Sequence, residues 1–498
     1  MQRGMVPSRR GGTRLDFWHP RYSVDWTPET MQTCRDVGQR LLEDVGLLVK
    51  HEQFVRAISG HNGVTVRGDR VHLSRALTDE HFDTFIARNR EVLLQPHAAG
   101  GDEWSISNDG YSIAVIDIET DRVRPATCED LRQLIRLIHS LGIRGSYPCC
   151  PQDVPPMMRS LATFKICWEE SEVIRPFDYL DARQTPFLHE MHRVMGKPFV
   201  ININIPHCMS VSEHDIDIFM RYYPIWKEHP DQISWYNICD YSMIGINRPI
   251  SATGSVAAYL AQSFGTHVLF QLFDPDVRMA PRLSAGMPVD LQSMAWAWGH
   301  PRMHLYQFLN DRALPALCGI HPDEYCAGHG FMCSSSCAVD ARAGMEKTAA
   351  TLVAAMQGAR HFGGAGNLAV DDLFSGVQLV LDVEIFEYVK DLIGAFDPHA
   401  DLMSTDGLYE TIRDVAEGRD EFFSHIDTAR KVRNLLPVSK RRPHEKLRSW
   451  MMHEKSIKDR VREECLERIA NQPPFELHAD RKTELGRIYD AAERELID

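Results

Sequence analysis

No apolar run in the 498 residues approaches the roughly 18 that a membrane span needs. The basic start (Arg3, Arg9, Arg10, Arg14) is not followed by the apolar stretch of a signal peptide. Residues 1–20 therefore read as a disordered basic arm, and the chain as cytoplasmic. Cysteine is sparse, at 12 in the whole chain, which is too few for a disulfide framework, so reduced thiols are expected. Positive charge is short as well. A balance of 55 Lys and Arg against 69 Asp and Glu leaves −14, which argues against nucleic acid and against an anionic membrane surface as partner. Lysine is missing altogether between Lys227 and Lys347, so no Schiff-base lysine comes from that stretch. The glycine turn Gly363-Gly364-Ala365-Gly366 lacks the lysine of a phosphate-binding loop. Low-complexity segments and long linkers are absent.

What is present is a rhythm of helix, short gap and apolar run, with hydrophobic content of 44% to build a core. Residues 329–366 show it most plainly. An apolar strand ends at Phe331 and Met332, a small polar cluster (Cys333, Ser334, Ser335, Ser336, Cys337) follows, and Asp340 opens a helix that Gly358 closes. Arg360, His361 and Phe362 then lead into the glycine turn. Serines at the mouth of a strand are consistent with a pocket at that mouth, and equally with simple helix caps.

The same rhythm runs back to residue 127. It predicts strands at 143–147, 173–179, 198–205, 233–239, 267–273 and 289–298, with residues 329–366 supplying the last two. Eight strands alternating with helices predict an α/β fold, a TIM (β/α)8 barrel, over residues 127–395. Residues 21–126 read as an N-terminal α/β elaboration, with a helix capped by Thr27-Pro28 and a hairpin around Gly68-Asp69. Residues 396–498 read as a C-terminal helical extension.

Strand side chains alternate between faces, so polar residues in these apolar strands mark the inside. On that parity Asn202 and Asn204 face in, as do Trp235 with Asn237, Leu269 with Gln271, and Gln292 with Met294, Trp296 and Trp298. Near the strands' C-terminal ends this gives a pocket of uncharged amides walled with indole, with Ser335 at its rim. Any one tryptophan is more often core filler, but buried amides on several strands need partners, and a ligand can supply some. Cys326, His329, Cys333 and Cys337 lie close enough in sequence to bind zinc, yet the spacing fits no standard pattern, and the expectation is no metal. No acid, base or nucleophile stands out, so the catalytic residues are left unknown.

Several segments together resemble the trimethylamine methyltransferase family of corrinoid-dependent enzymes. They are Leu41-Leu42-Glu43-Asp44-Val45-Gly46, Pro249 with Thr253-Gly254, Gly299-His300-Pro301, and the run from Asp340 through Ala341, Arg342, Ala343, Gly344, Met345 and Glu346 to Lys347. Leu381-Asp382 with Glu384-Ile385 completes the series. The resemblance extends from about residue 25 onward.

It implies a TIM barrel and methyl transfer from a methylated amine to the Co(I) of a corrinoid (cobalamin) carried on a separate partner protein. This chain then binds no cofactor itself. The trimethylamine enzymes carry pyrrolysine where this chain has residues 333–337, so the sequence looks like the pyrrolysine-free branch, typified by glycine betaine methyltransferase. Arg342 stands where glutamine is expected, and Gln262 where an acidic residue is. The expected substrate is a quaternary amine, glycine betaine or a related betaine, held by Trp296, Trp298, Asn204, Asn237, Gln271, Trp235, His329 and Ser335. Arg248, Arg278, Arg302, His300 and His329 are candidates to pair its carboxylate. Expected partners are the cognate corrinoid protein and further copies of the chain in a homo-oligomer. Two other functions fit the residues: a zinc-dependent corrinoid methyltransferase acting on a thiol or alcohol, and a non-catalytic barrel that binds a small cation.

Overall fold

The computed structural model describes residues 25–94, 103–110, 112–176, 181–205, 207–230, 233–240, 243–277, 283, 286–321, 329–332, 334–394, 400–435 and 446–497. The expected basic arm at 1–20 lies outside the described residues. Thr27 caps the helix Pro28–Asp44 through its side chain, and Gly46, at φ +70°, ends it. The hairpin of Val64–Arg67 and Arg70–Leu73 forms as expected.

Among the described residues eight strands carry parallel pairing. Two of them, Ala114–Ile116 and Leu373–Ser375, pair with each other. The other six are β1 (Ser105–Asn108), β2 (Arg144–Gly145), β3 (Phe199–Ile205), β4 (Ile233–Asp240), β5 (His329–Phe331) and β6 (His361–Gly363). The order β5-β6-β1-β2 makes one four-stranded sheet, parallel throughout. A parallel bridge extends it from Gly145 to Ile174. Strands β3 and β4 pair in parallel apart from it, and a further parallel bridge joins Met243 to Met287. The architecture is α/β with parallel sheets. Its parallel sheet includes β1, from the stretch the sequence assigned to the N-terminal elaboration.

Two expected strands are corrected. Residues 252–273 are helical throughout: Ala252–Tyr259 is α, Leu260–Phe264 a π turn, and Gly265–Phe273 α again. Nearly every residue in that run is buried, so its apolar pattern has no face, and a buried helix and a buried strand look alike. The second is residues 289–298. They form a two-stranded antiparallel hairpin, Val289–Asp290 with Ala295–Trp296, turned through Met294 at φ +57°. Asp290 builds the turn by accepting the Gln292 N–H (2.9 Å) and the Ser293 hydroxyl (3.1 Å).

Register assigns the faces of the four-stranded sheet. Phe362 of β6 and Ile106 of β1 are paired, buried, and packed with Leu134, Ile135, Val383 and Phe386 from the helices Cys128–Ser140 and Gly376–Gly394. The other face therefore takes His329 and Phe331, His361 and Gly363, Ser105, Ser107 and Arg144. The C-terminal helices return to the body. Helix Ile457–Asn471 buries Val461 and Cys465 against that helical layer, and helix Ala479–Ile497 buries Leu485, Ile488 and Ala492 on the helices Arg159–Glu170 and Thr185–Met195.

His192 sits in this last cluster, edge-on to Phe164 and Trp168 at 5.3 and 4.9 Å, and donates from Nδ1 to the Lys197 carbonyl (3.1 Å). Burial pulls its pKa down to about 3. The unfolded chain protonates this ring near its ordinary value, about 6.5, while the native ring stays neutral. Between these values the unfolded state binds more protons, so the His192 contribution is complete above pH 6.5 and is lost as pH falls toward 3. Denaturation midpoints should decline across that window, and less steeply in His192→Gln. Parallel pH profiles for the two proteins would refute the assignment.

Candidate active site

The loop after β5 is built around a buried carboxylate. Glu346, on the helix Ala341–Met356, is 6% exposed. One of its oxygens accepts the Ser334 hydroxyl (2.8 Å) and the Ser335 N–H (2.9 Å), and the other accepts Nε of Arg342 (2.7 Å). Ser336 hydrogen-bonds Asp340 (3.0 Å), which caps the helix through the Ala343 N–H (2.9 Å). The serine cluster thus divides: Ser336 serves the cap, and Ser334 and Ser335 serve Glu346.

The tryptophan hairpin is latched to this loop. The Gly299 N–H donates to Ser335 Oγ (3.1 Å), and a Cβ at 299 would fall on the Glu346 carboxylate. Only glycine lets the backbone approach so closely. Just before it, Trp296 and Trp298 lie half-buried and nearly parallel, with centroids 5.8 Å apart and 6° between planes. The Trp298 indole N–H is buried with no acceptor among the described residues, a donor whose hydrogen bond a ligand can complete. Replacing Gly299 with Ala should push Glu346 off its donors and unseat the indoles, at a cost of about 1–3 kcal/mol. A lowered melting temperature with a changed near-ultraviolet dichroism of tryptophan is the expected result. An unchanged spectrum would show that the latch is slack.

Beneath this loop the exposed face of the sheet contributes Phe331 and Asp109. Asp109 follows β1, accepts the Gly364 N–H, and places its carboxyl where a Gly363 side chain would begin, with the Phe331 ring alongside. Burial pushes its pKa up, toward the neutral acid. Asn367 fixes the loop by donating from Nδ2 to the Asp109 carbonyl.

The expected site residues separate on this frame. Trp296, Trp298 and Ser335 come together as described. Asn204 lies half-buried at the end of β3, where its N–H donates to Asp215 (2.7 Å). Register sets Asn202 opposite Asn237 and Asn204 opposite Cys239 on β4, the strand that also carries Trp235. Gln271 belongs elsewhere. It sits on a helix, and its side-chain oxygen accepts Nδ1 of His81 (3.1 Å). His329 begins β5 rather than ending it. It is exposed, 5.6 Å ring to ring from His361, at the end of the strand opposite Ser335. Of the proposed zinc cluster, Cys326 and Cys333 lie outside the described residues. Among the described residues no three His, Cys, Asp or Glu side chains gather to hold a metal.

Sequence reasoning missed Glu346, Gly299, Asp109 and Phe331. Glu346 and Gly299 stood inside the motifs Asp340–Lys347 and Gly299-His300-Pro301, but nothing in spacing said that the two motifs touch. Asp109 was hidden because its strand was assigned to the N-terminal elaboration, away from β5 and β6.

The model of the trimethylamine methyltransferase family, MTTB, matches residues 19–495. The chain belongs to this family. Trimethylamine methyltransferase MttB from Methanosarcina barkeri (strain Fusaro / DSM 804), and its counterpart from Methanosarcina barkeri, are each 31% identical over 154 residues. That stretch is 31% of this chain and 30% of each relative, so this chain aligns with under a third of their length. Two residues expected to differ in this family, Gln262 and Arg342, have defined local roles. Gln262 lies fully buried in the π turn and accepts the Met209 N–H (3.0 Å), and Arg342 holds Glu346. No helix among the described residues is long and apolar enough to cross a membrane.

Proposed function

We propose that this protein moves a methyl group from a quaternary amine, glycine betaine or a related betaine, to the Co(I) of a corrinoid on a separate protein. The parallel strands close into a TIM barrel, with the reaction at their C-terminal ends. The chain binds no cofactor or metal of its own, and self-association fits the apolar side chains Leu408, Tyr409 and Ile412, which are exposed on a helix that buries none of its residues. The observation that carries the reading is the paired indoles, latched beside the serine loop of β5 in a member of this methyltransferase family.

A quaternary ammonium has no lone pair to protonate or coordinate. When the methyl leaves as a cation equivalent, the C–N electron pair stays on nitrogen and gives a neutral amine. Catalysis is then desolvation and aim, for which aromatic faces suffice. A carboxylate pressed on the cation would stabilise the ground state over a transition state that is losing charge. Glu346 is already engaged by three donors, and burial drives Asp109 toward its neutral form.

The test is a panel of methylated amines incubated with cob(I)alamin, free or protein-bound, without added zinc, and followed by absorbance. Methylcobalamin should form with a betaine and not with primary methylamines. Formation with no substrate of the panel would overturn the reading.

A further inference from the structure

One row of side-chain positions crosses the open face of the four-stranded sheet. Register pairs Phe331 with Gly363, and Ser107 with Arg144. The pairing of His361 with Ser105 and Phe362 with Ile106 brings Gly363 level with Ser107. The row therefore runs Phe331, Gly363, Ser107, Arg144: an aromatic ring, two of the smallest residues, then a guanidinium. Adjacent strands lie about 4.8 Å apart, so the two ends are separated by roughly 14 Å between backbones. Between the phenyl ring and the guanidinium the row carries the Asp109 carboxyl, which rests over Gly363, and then Ser107.

Arg144 is exposed, and among the described residues no carboxylate lies within ion-pairing distance of it. Asp109, the acid closest along β1 on this face, rests instead over Gly363 at the phenyl end. Its carboxyl accepts the Gly364 N–H there, two strands away from Arg144, and so does not stand in as a counter-ion.

Resting on the proposed function, we infer that Arg144 is the anion-binding end of a zwitterion cradle. Its guanidinium receives the carboxylate of the substrate, and the quaternary nitrogen lies toward Phe331 and the indoles. The two charges of a betaine match the two ends of the row. A simple quaternary amine lacks the group that Arg144 recognises, so selection for amino-acid betaines resides in this residue.

The full-length protein tests this by calorimetry with two probes, glycine betaine and tetramethylammonium. Wild type should bind glycine betaine more tightly. Arg144→Met should weaken glycine betaine at least tenfold, as expected for a lost charge-assisted pair, and change tetramethylammonium less than twofold. Ser107→Asp, which supplies an internal counter-ion beside Arg144, should reproduce that pattern. Arg144→Lys should retain part of the affinity. Thermal melts of each variant verify folding. Equal losses for both probes, or an Arg144→Met protein that binds glycine betaine like wild type, would overturn the inference. In that second outcome continued methyl transfer from betaine leaves the proposed function standing. A wild type that binds neither probe overturns both.

Discussion

Replacing Lys347 with Met should lower stability by about 3–5 kcal/mol, the range for breaking a buried ion pair. Lys347 and Asp382 are both fully buried, and their charged atoms are 2.7 Å apart. The ammonium uses its other two protons on the carbonyls of Met332 (3.0 Å) and Gly364 (3.3 Å). Asp382 also accepts the Gly366 N–H (2.7 Å) and the Gln378 amide (2.8 Å). Burial drives the Asp382 carboxyl upward, and these donors oppose that drive. The pair joins two helices to the chain leaving β5 and β6, so it fixes the two strand ends that carry Phe331, Gly363 and the serine loop. Without the ammonium, Asp382 is a buried charge with two carbonyls facing an apolar side chain. Chemical denaturation measures the loss. The double variant Lys347→Met with Asp382→Leu should recover much of it, because apolar pairs replace buried ion pairs at little cost. A Lys347→Met protein as stable as wild type would show that the pair is not load-sharing in the core.

Trp296→Ala should weaken betaine binding about tenfold, and the double variant with Trp298→Ala roughly a hundredfold. Cation–π contacts contribute about 0.5–2 kcal/mol per ring, and about 1.4 kcal/mol is a factor of ten. Both rings are half-buried and parallel, so a cation against the pair meets two faces in series, and losing one ring also frees the other. Trp296→Phe should keep part of the affinity. Core filler would behave differently: truncation would lower the melting temperature and leave the affinity of the folded protein unchanged. Calorimetry beside thermal melts separates the two. An early-melting Trp296→Ala protein with wild-type betaine affinity would remove the indoles from the site.

Particular residues show how far the sequence could be read. Trp296 and Trp298 do share a side, as alternation requires, although the strand expected to carry them is a hairpin. A turn through Met294 leaves the two-residue spacing beyond it intact. Gln271 failed because its alternation argument depended on a strand. Residues 265–273 are buried on a helix, where one amide among apolar residues marks a partner, His81, and not a lumen. His329 was legible as the first residue of its strand, yet it was assigned to a pocket at the strand's far end. The strand is three residues long, and its bounds decide the matter.

The sequence by itself determined the local chemistry. Thr27 and Asp340 cap their helices because a short oxygen side chain meets free N–H groups wherever a helix starts. Apolar runs separated by amphipathic helices required parallel pairing, since such runs are buried on both faces. The order of motifs was sufficient for the family. Tertiary structure alone decided what lies against what. Gly299 meets Glu346 across 47 residues of chain, Asp109 meets Gly363 across 254, and Lys347 meets Asp382 across 35. Each contact is a close approach or a charge match that depends on how strands register in the sheet. Register is fixed by packing summed over the whole sheet, a quantity that no local window of residues contains.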